Sequence, residues 1–321
     1  MTIDVFGHHN GTPVLQATLV SDAATVSLIS YGAAVQSWLV HGPNGPMQAT
    51  LGFDTFVPYP EWSRSFGVIA GRIANRVRDG RFHLDGVAYQ LDQNEGRNHL
   101  HGGSEGLGNR LWSLESDGRA ARLTYTSPDG HMGYPGTVHF TVDVVLDGPT
   151  LTFEMTGVPD RPTPIALAQH SYYNLGGPAA EHVLHILAQD MTVTDAANVS
   201  TGELAPVAGT EYDFLTPRPI GDMELDANFC LAERAPAATL SGRDMTLVLS
   251  TDRPGLQAYN SVTLPQIPVP GLGGAMYGPF HAVALEAQDW PDAVNHDTFP
   301  SIIATPDRPY RQTTSITITP R

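Results

Sequence analysis

The chain has 321 residues, 41% of them hydrophobic, and 17 basic against 33 acidic side chains give a formal charge of −16. That length and apolar content suit one large core, while the negative surface repels nucleic acid and anionic lipid, so neither is expected as a partner. Every basic residue is Arg; without Lys there is no Schiff-base lysine, no pyridoxal-phosphate anchor and no P-loop.

Met1 to His9 lacks a basic stretch followed by an apolar one, so no signal peptide is expected. No apolar run approaches the length of a membrane span, and a cytoplasmic location is the expectation. Short alternating apolar pieces at Thr25 to Ile29 and Ala34 to Val40 read as strands. Phe82 to Tyr89 reads as a hairpin, because Asp85-Gly86 suits the positive φ angles of a type I′ turn. Arg122 to Thr126 is a further strand. From Thr137 to Leu146 the apolar residues Val138, Phe140, Val142, Val144 and Leu146 alternate with polar ones. The pattern resumes at Leu151, Phe153 and Met155 after Asp147-Gly148-Pro149, which predicts a second hairpin. Asp195 to Val199 is the best helix candidate. Cys230, the single cysteine, excludes an internal disulfide and reads as a small buried hydrophobe. Met245 to Leu249 and Thr313 to Ile318 complete the strands. With 32 glycines and 26 prolines spread along the chain, few windows could hold a stable helix. An all-β sandwich is predicted, and 1–321 is expected to form a single domain.

Four polar segments stand out: Gly71 to Arg76, Asn98 to Gly103, Gln169 to Gly177 and Leu285 to Gln288. His170, in an apolar context beside two tyrosines, suits either a hydrogen-bonded core position or proton transfer near neutrality. Glu286 closes the apolar run from Ala282; it is either an exposed strand end or a functional carboxylate, because buried glutamates are rare without a partner. If the two share a pocket, mutual attraction predicts a resting imidazolium and carboxylate. His99-Leu100-His101 followed by Glu105 resembles the first half of a cupin metal motif. The glycine spacing fails and no third His follows Tyr134-Pro135-Gly136, so no metal is expected. His8-His9, His182 and His185 read as surface or strand-edge residues, and Gly271 to Gly274 as an ordinary flexible loop.

The ordered set Ser30-Tyr31-Gly32-Ala33, Gly71 to Arg76, Leu100-His101-Gly102-Gly103, Gly133-Tyr134-Pro135-Gly136, His170 to Leu175, Leu285-Glu286 and Pro291-Asp292-Ala293 resembles the aldose 1-epimerase (galactose mutarotase) family over nearly the whole chain. The resemblance implies a large single-domain antiparallel β-sandwich with an open sugar-binding cleft, no cofactor, and a small-molecule aldose as partner of a monomer or homodimer. It implies that His170 is the general acid and Glu286 the general base. Asn75, Arg76, His101, Tyr172, Asp226 and Gln257 match positions that hold the sugar. At Asp226 the family has a glycine-led Asp-His pair, where this chain reads Leu225-Asp226-Ala227-Asn228. Two other readings of the same residues are a glycoside hydrolase using Asp226 and Glu286, and a non-catalytic carbohydrate-binding module.

Overall fold

A computed structural model describes residues 3–63, 65–232 and 235–321. Its largest sheet has nine strands, in the order Ser113–Ser116, Ala120–Ser127, Val138–Asp147, Thr150–Pro159, Tyr310–Pro320, Met245–Thr251, Ala238–Ser241, Val183–Ile186 and Arg218–Pro219. A six-stranded sheet runs Tyr172–Tyr173, Val283–Gln288, Gly255–Tyr259, Asp226–Leu231, Ala188–Thr194, Ser200–Pro206. A five-stranded meander covers Ile3–His9 to Gly45–Gln48. One continuous apolar core joins all three: Val26 and Trp38 of the meander, Val142 and Phe153 of the large sheet, and Leu256 and Leu285 of the six-stranded sheet belong to it.

Alternation explains the strands. Val138, Phe140, Val142, Val144 and Leu146 are all buried, and Val142 pairs with Met155, Val144 with Phe153 and Leu146 with Leu151. Each apolar side chain thus meets another across the ladder on the core face. The hairpin Arg81–Leu84 with Val87–Gln90 turns on Asp85 at φ 50° and Gly86 at φ 78°, the two left-handed residues of the predicted turn.

Three expectations are corrected. Asp195 to Val199 is a turn: the Asp195 carboxylate accepts the Ala197 and Val199 amides at 2.9 and 3.2 Å, a local closure that competes with helix. The one α-helix among the described residues is Tyr59–Trp62, with a proline in its first turn. Cys230 is half-buried, and burial pushes its thiol up to about 12. His182, read as a surface or strand-edge residue, precedes the strand Val183–Ile186 but is fully buried and structural. It accepts the Leu175 amide at 2.9 Å through Nε2, while Nδ1 lies 2.9 Å from the Pro178 carbonyl.

Candidate active site

The cleft is built on one face of the six-stranded sheet. Along Val283–Gln288 the side chains of Val283, Leu285 and Ala287 enter the core. Period two then sends Ala284, Glu286 and Gln288 to the other face. Cross-strand partners share a face, and here Glu286 lies opposite Gln257, Tyr259 opposite Asp226, and Tyr172 opposite Ala284. The register therefore gathers Tyr172, Asp226, Gln257 and Glu286 from four strands onto one floor.

The opposite wall comes from two short segments. Arg76–Val77 pairs with His99–Leu100, and at its ends Asn75 and His101 take left-handed backbone at φ 60° and 50°. They lock each other: the His101 amide donates to the Asn75 carbonyl at 3.0 Å, and the Asn75 amide donates to His101 Nδ1 at 3.1 Å. His101 is thereby left with its proton on Nε2. Gly102, at φ 89°, lets this turn lie against the Gly71 backbone, where a Cβ would stand 1.6 Å from the Gly71 oxygen. Arg72, wholly buried, anchors the same segment by donating to the carbonyls of Ser127, Pro135 and Gly136 at 2.8–3.0 Å. His170 hangs between these walls, its amide on the Val68 carbonyl and its own carbonyl taking the Gly67 amide.

All eight residues singled out in the sequence line this one cleft of about 600 Å³. His170 Nε2 stands 3.5 Å from Glu286 Oε2, and both side chains are buried. Tyr172 stacks flat on the His170 ring, centroids 5.0 Å apart at 19°, so its ring supports the imidazole. Asp226 is held at both oxygens, by Gln257 Nε2 at 2.6 Å and Asn198 Nδ2 at 3.3 Å. Arg76 is gripped by Glu95 through two bonds of 2.6 and 2.7 Å. Glu95, Asn198 and Tyr259 were not anticipated. Glu95 and Asn198 act from turns that carry no periodic signal. Tyr259 is two residues from Gln257, and the strand period alone could have found it.

The expected imidazolium–carboxylate pair is not the resting state. Burial lowers His170 to about 4. Burial first, then the charge of Asp226, raises Glu286 well above the usual carboxylate range, with Arg76 opposing. Desolvation penalises each charged form, which favours the neutral imidazole. Burial likewise drives His101 well below its ordinary value, with His170 and Arg76 adding to the effect, and raises Asp226 against the pull of Arg76 and Gln257.

His101, His170 and Glu286 bring potential ligand atoms within 4.8 Å of one another. A metal-binding imidazole donates its outer N–H away from the metal. His101 does the reverse, accepting an N–H at Nδ1 and keeping hydrogen on Nε2. That nitrogen offers a hydrogen bond where a metal needs a lone pair, so the trio does not fit a cation. His99 stands outside the cleft, with Nε2 2.6 Å from the Tyr134 hydroxyl and Nδ1 2.6 Å from the Asp92 carbonyl.

Comparison with known proteins agrees with this geometry. Residues 16–317 match the family model for aldose 1-epimerase. The chain is 34% identical to rat galactose mutarotase over 98% of its own length and 97% of the rat protein. It is 35% identical to the human galactose mutarotase over the same shares. With the aldose 1-epimerase of Escherichia coli K12 it shares 30% identity, over 91% of this chain and 90% of that one. Among solved structures, a GalM/aldose epimerase homologue from C. elegans superposes with a TM-score of 0.90 at 26% identity, covering 96% of this chain and 99% of that chain. A galactose 1-epimerase from Lactobacillus acidophilus gives 0.87 at 28% identity, covering 99% and 98%. Neither the hydrolase nor the binding-module reading has this support: the chain belongs to the aldose 1-epimerase family, isomerases that interconvert the anomers of an aldose.

Proposed function

We propose that the chain, working as one unit over 1–321, opens and recloses the ring of a free aldose with Glu286 and His170 as its proton-transfer pair. The observation that carries this reading is the 3.5 Å approach of His170 Nε2 to Glu286 Oε2 inside a sugar-sized cleft. Glu286 removes the C1 hydroxyl proton while His170 protonates the ring oxygen, and the C1–O5 bond breaks to give the open-chain aldehyde. Rotation about C1–C2 presents the other carbonyl face. Reclosure returns both protons and yields the opposite anomer, with no net proton consumed.

The imidazolium–carboxylate form that begins ring opening and the neutral form that begins closure differ only in which partner holds the shared proton. Burial favours the neutral form in the open cleft. The sugar hydroxyls, with donors from Arg76 and His101, replace the missing solvent around the carboxylate and allow the charged form to develop. Asn75 acts through His101, Asp226 and Gln257 hold ring hydroxyls, and Tyr172 fixes the imidazole from behind.

His170→Asn and Glu286→Gln should each lower mutarotation by about 10²–10⁴-fold while the protein stays folded, measured by polarimetry on freshly dissolved galactose after subtracting the uncatalysed rate. A variant that keeps near-normal turnover strips that residue of its role. Galactose is the first sugar to test because the rat and human relatives are galactose mutarotases. A neutral sugar, without nucleic acid or membrane, suits a chain of charge −16; a monomer or homodimer suffices, since every proposed site residue comes from one chain. No helix among the described residues is long and apolar enough to cross a membrane.

A further inference from the structure

We propose that Glu95 determines specificity: its two-bond grip on Arg76 withholds that guanidinium from anionic substituents and makes the cleft favour uncharged aldoses over uronates. The proposal rests on the mutarotase reading of the cleft and extends it to the charge of the sugar. Glu95 Oε2 and Oε1 accept from Arg76 Nε and Nη2 at 2.6 and 2.7 Å, and both residues line the cleft. This side edge is one of the two through which a guanidinium forks onto a carboxylate or phosphate, and the end-on edge shares its Nη2. The pair leaves Nη1 outside it, a donor suited to an uncharged hydroxyl.

The grip is pre-set by the backbone. Glu95 and Asn98 exchange amide–carbonyl bonds of 2.9 and 3.1 Å. Asn98 Oδ1 accepts the Asp79 amide at 3.1 Å, and Arg97 pairs with Asp79 at 2.5 Å. The turn carrying Glu95 is thus tied to the residues that follow Arg76. The lining agrees: among its described residues Arg76 is the one arginine, and the acidic Glu61 and Glu95 line the cleft with it. An anionic sugar must displace the Glu95 carboxylate to reach that edge, and like-charge contact of this kind is a strong discriminator.

The competing possibility is that Glu95 only staples the Arg76–Val77 and His99–Leu100 ribbon. Mutarotation of galactose, galacturonate and galactosamine is compared in the wild type, Glu95→Gln and Glu95→Ala, by NMR exchange at neutral pH. The expected result is a rise of about tenfold or more in the galacturonate-to-galactose ratio of kcat/KM in both variants, with a fall in the galactosamine-to-galactose ratio. A staple lost would slow all three sugars together and lower Tm. If both ratios stay within about twofold of wild type, or move the other way, the proposal is overturned whatever happens to absolute rates. A wild type that accelerates no neutral aldose overturns the mutarotase reading instead, so the two failures are separable.

Discussion

With its side chain out of water and Asp226 close by, Glu286 holds a proton more tightly in the fold than in the unfolded chain. Its Oε2 has no hydrogen-bond partner among the described residues. A group whose folded pKa is raised stabilises fully only below its unfolded value of about 4.3, and that contribution is lost as pH rises through the folded value. Glutamine has no such dependence. Glu286→Gln should therefore match the wild type in stability near pH 4 and exceed it increasingly towards pH 7, by about 1–3 kcal/mol there. Differential scanning calorimetry at a series of pH values measures this gap; a constant or shrinking gap contradicts the burial account. The same variant loses turnover, so stability and activity move in opposite directions at this residue. The pairing of His170 with Glu286 was legible from residue type and family resemblance. Their protonation was not, because it depends on desolvation that only the closed-in floor supplies.

At the scale of elements, two-residue strands and tight turns hold the wall opposite the sheet floor, and these escape period-based reading. Long alternating runs such as Val138–Asp147 were legible because each second side chain enters the core. Arg76–Val77 and His99–Leu100 are too short to alternate, and Asp195 to Val199 was misread because its carboxylate satisfies its own backbone. Gly102 shows what the short ribbon requires: no Cβ fits against Gly71, and φ is 89°. Gly102→Ala should cost about 2–4 kcal/mol through overlap and left-handed strain and displace His101 enough to lower turnover about 10²-fold. Gly118→Ala is the control, with a similar φ of 88° but open space around it; it should keep full activity. Equal loss of turnover in both variants would mean that contact with Gly71 is not what positions His101.

Across the whole molecule, the all-β class was legible from composition, whereas the order of strands was not, since partners lie far apart in sequence. Tyr310–Pro320 shows this most clearly: it occupies the middle of the nine-stranded sheet, between Thr150–Pro159 and Met245–Thr251. No local pattern announces which gap it fills. Ile316 and Ile318 enter the main core from this strand. Deleting 310–320 should remove cooperative unfolding altogether, read as loss of near-ultraviolet circular dichroism and early elution in size-exclusion chromatography. Retained native spectra would show that the two flanking halves are stable alone.

That central strand also sets the timing of assembly. During synthesis Thr150–Pro159 and Met245–Thr251 leave the ribosome well before Tyr310–Pro320, so each nascent half waits with an open hydrogen-bonding margin beside exposed apolar side chains. The interval between translating the two flanks and their shared neighbour is when this chain is most exposed to self-association.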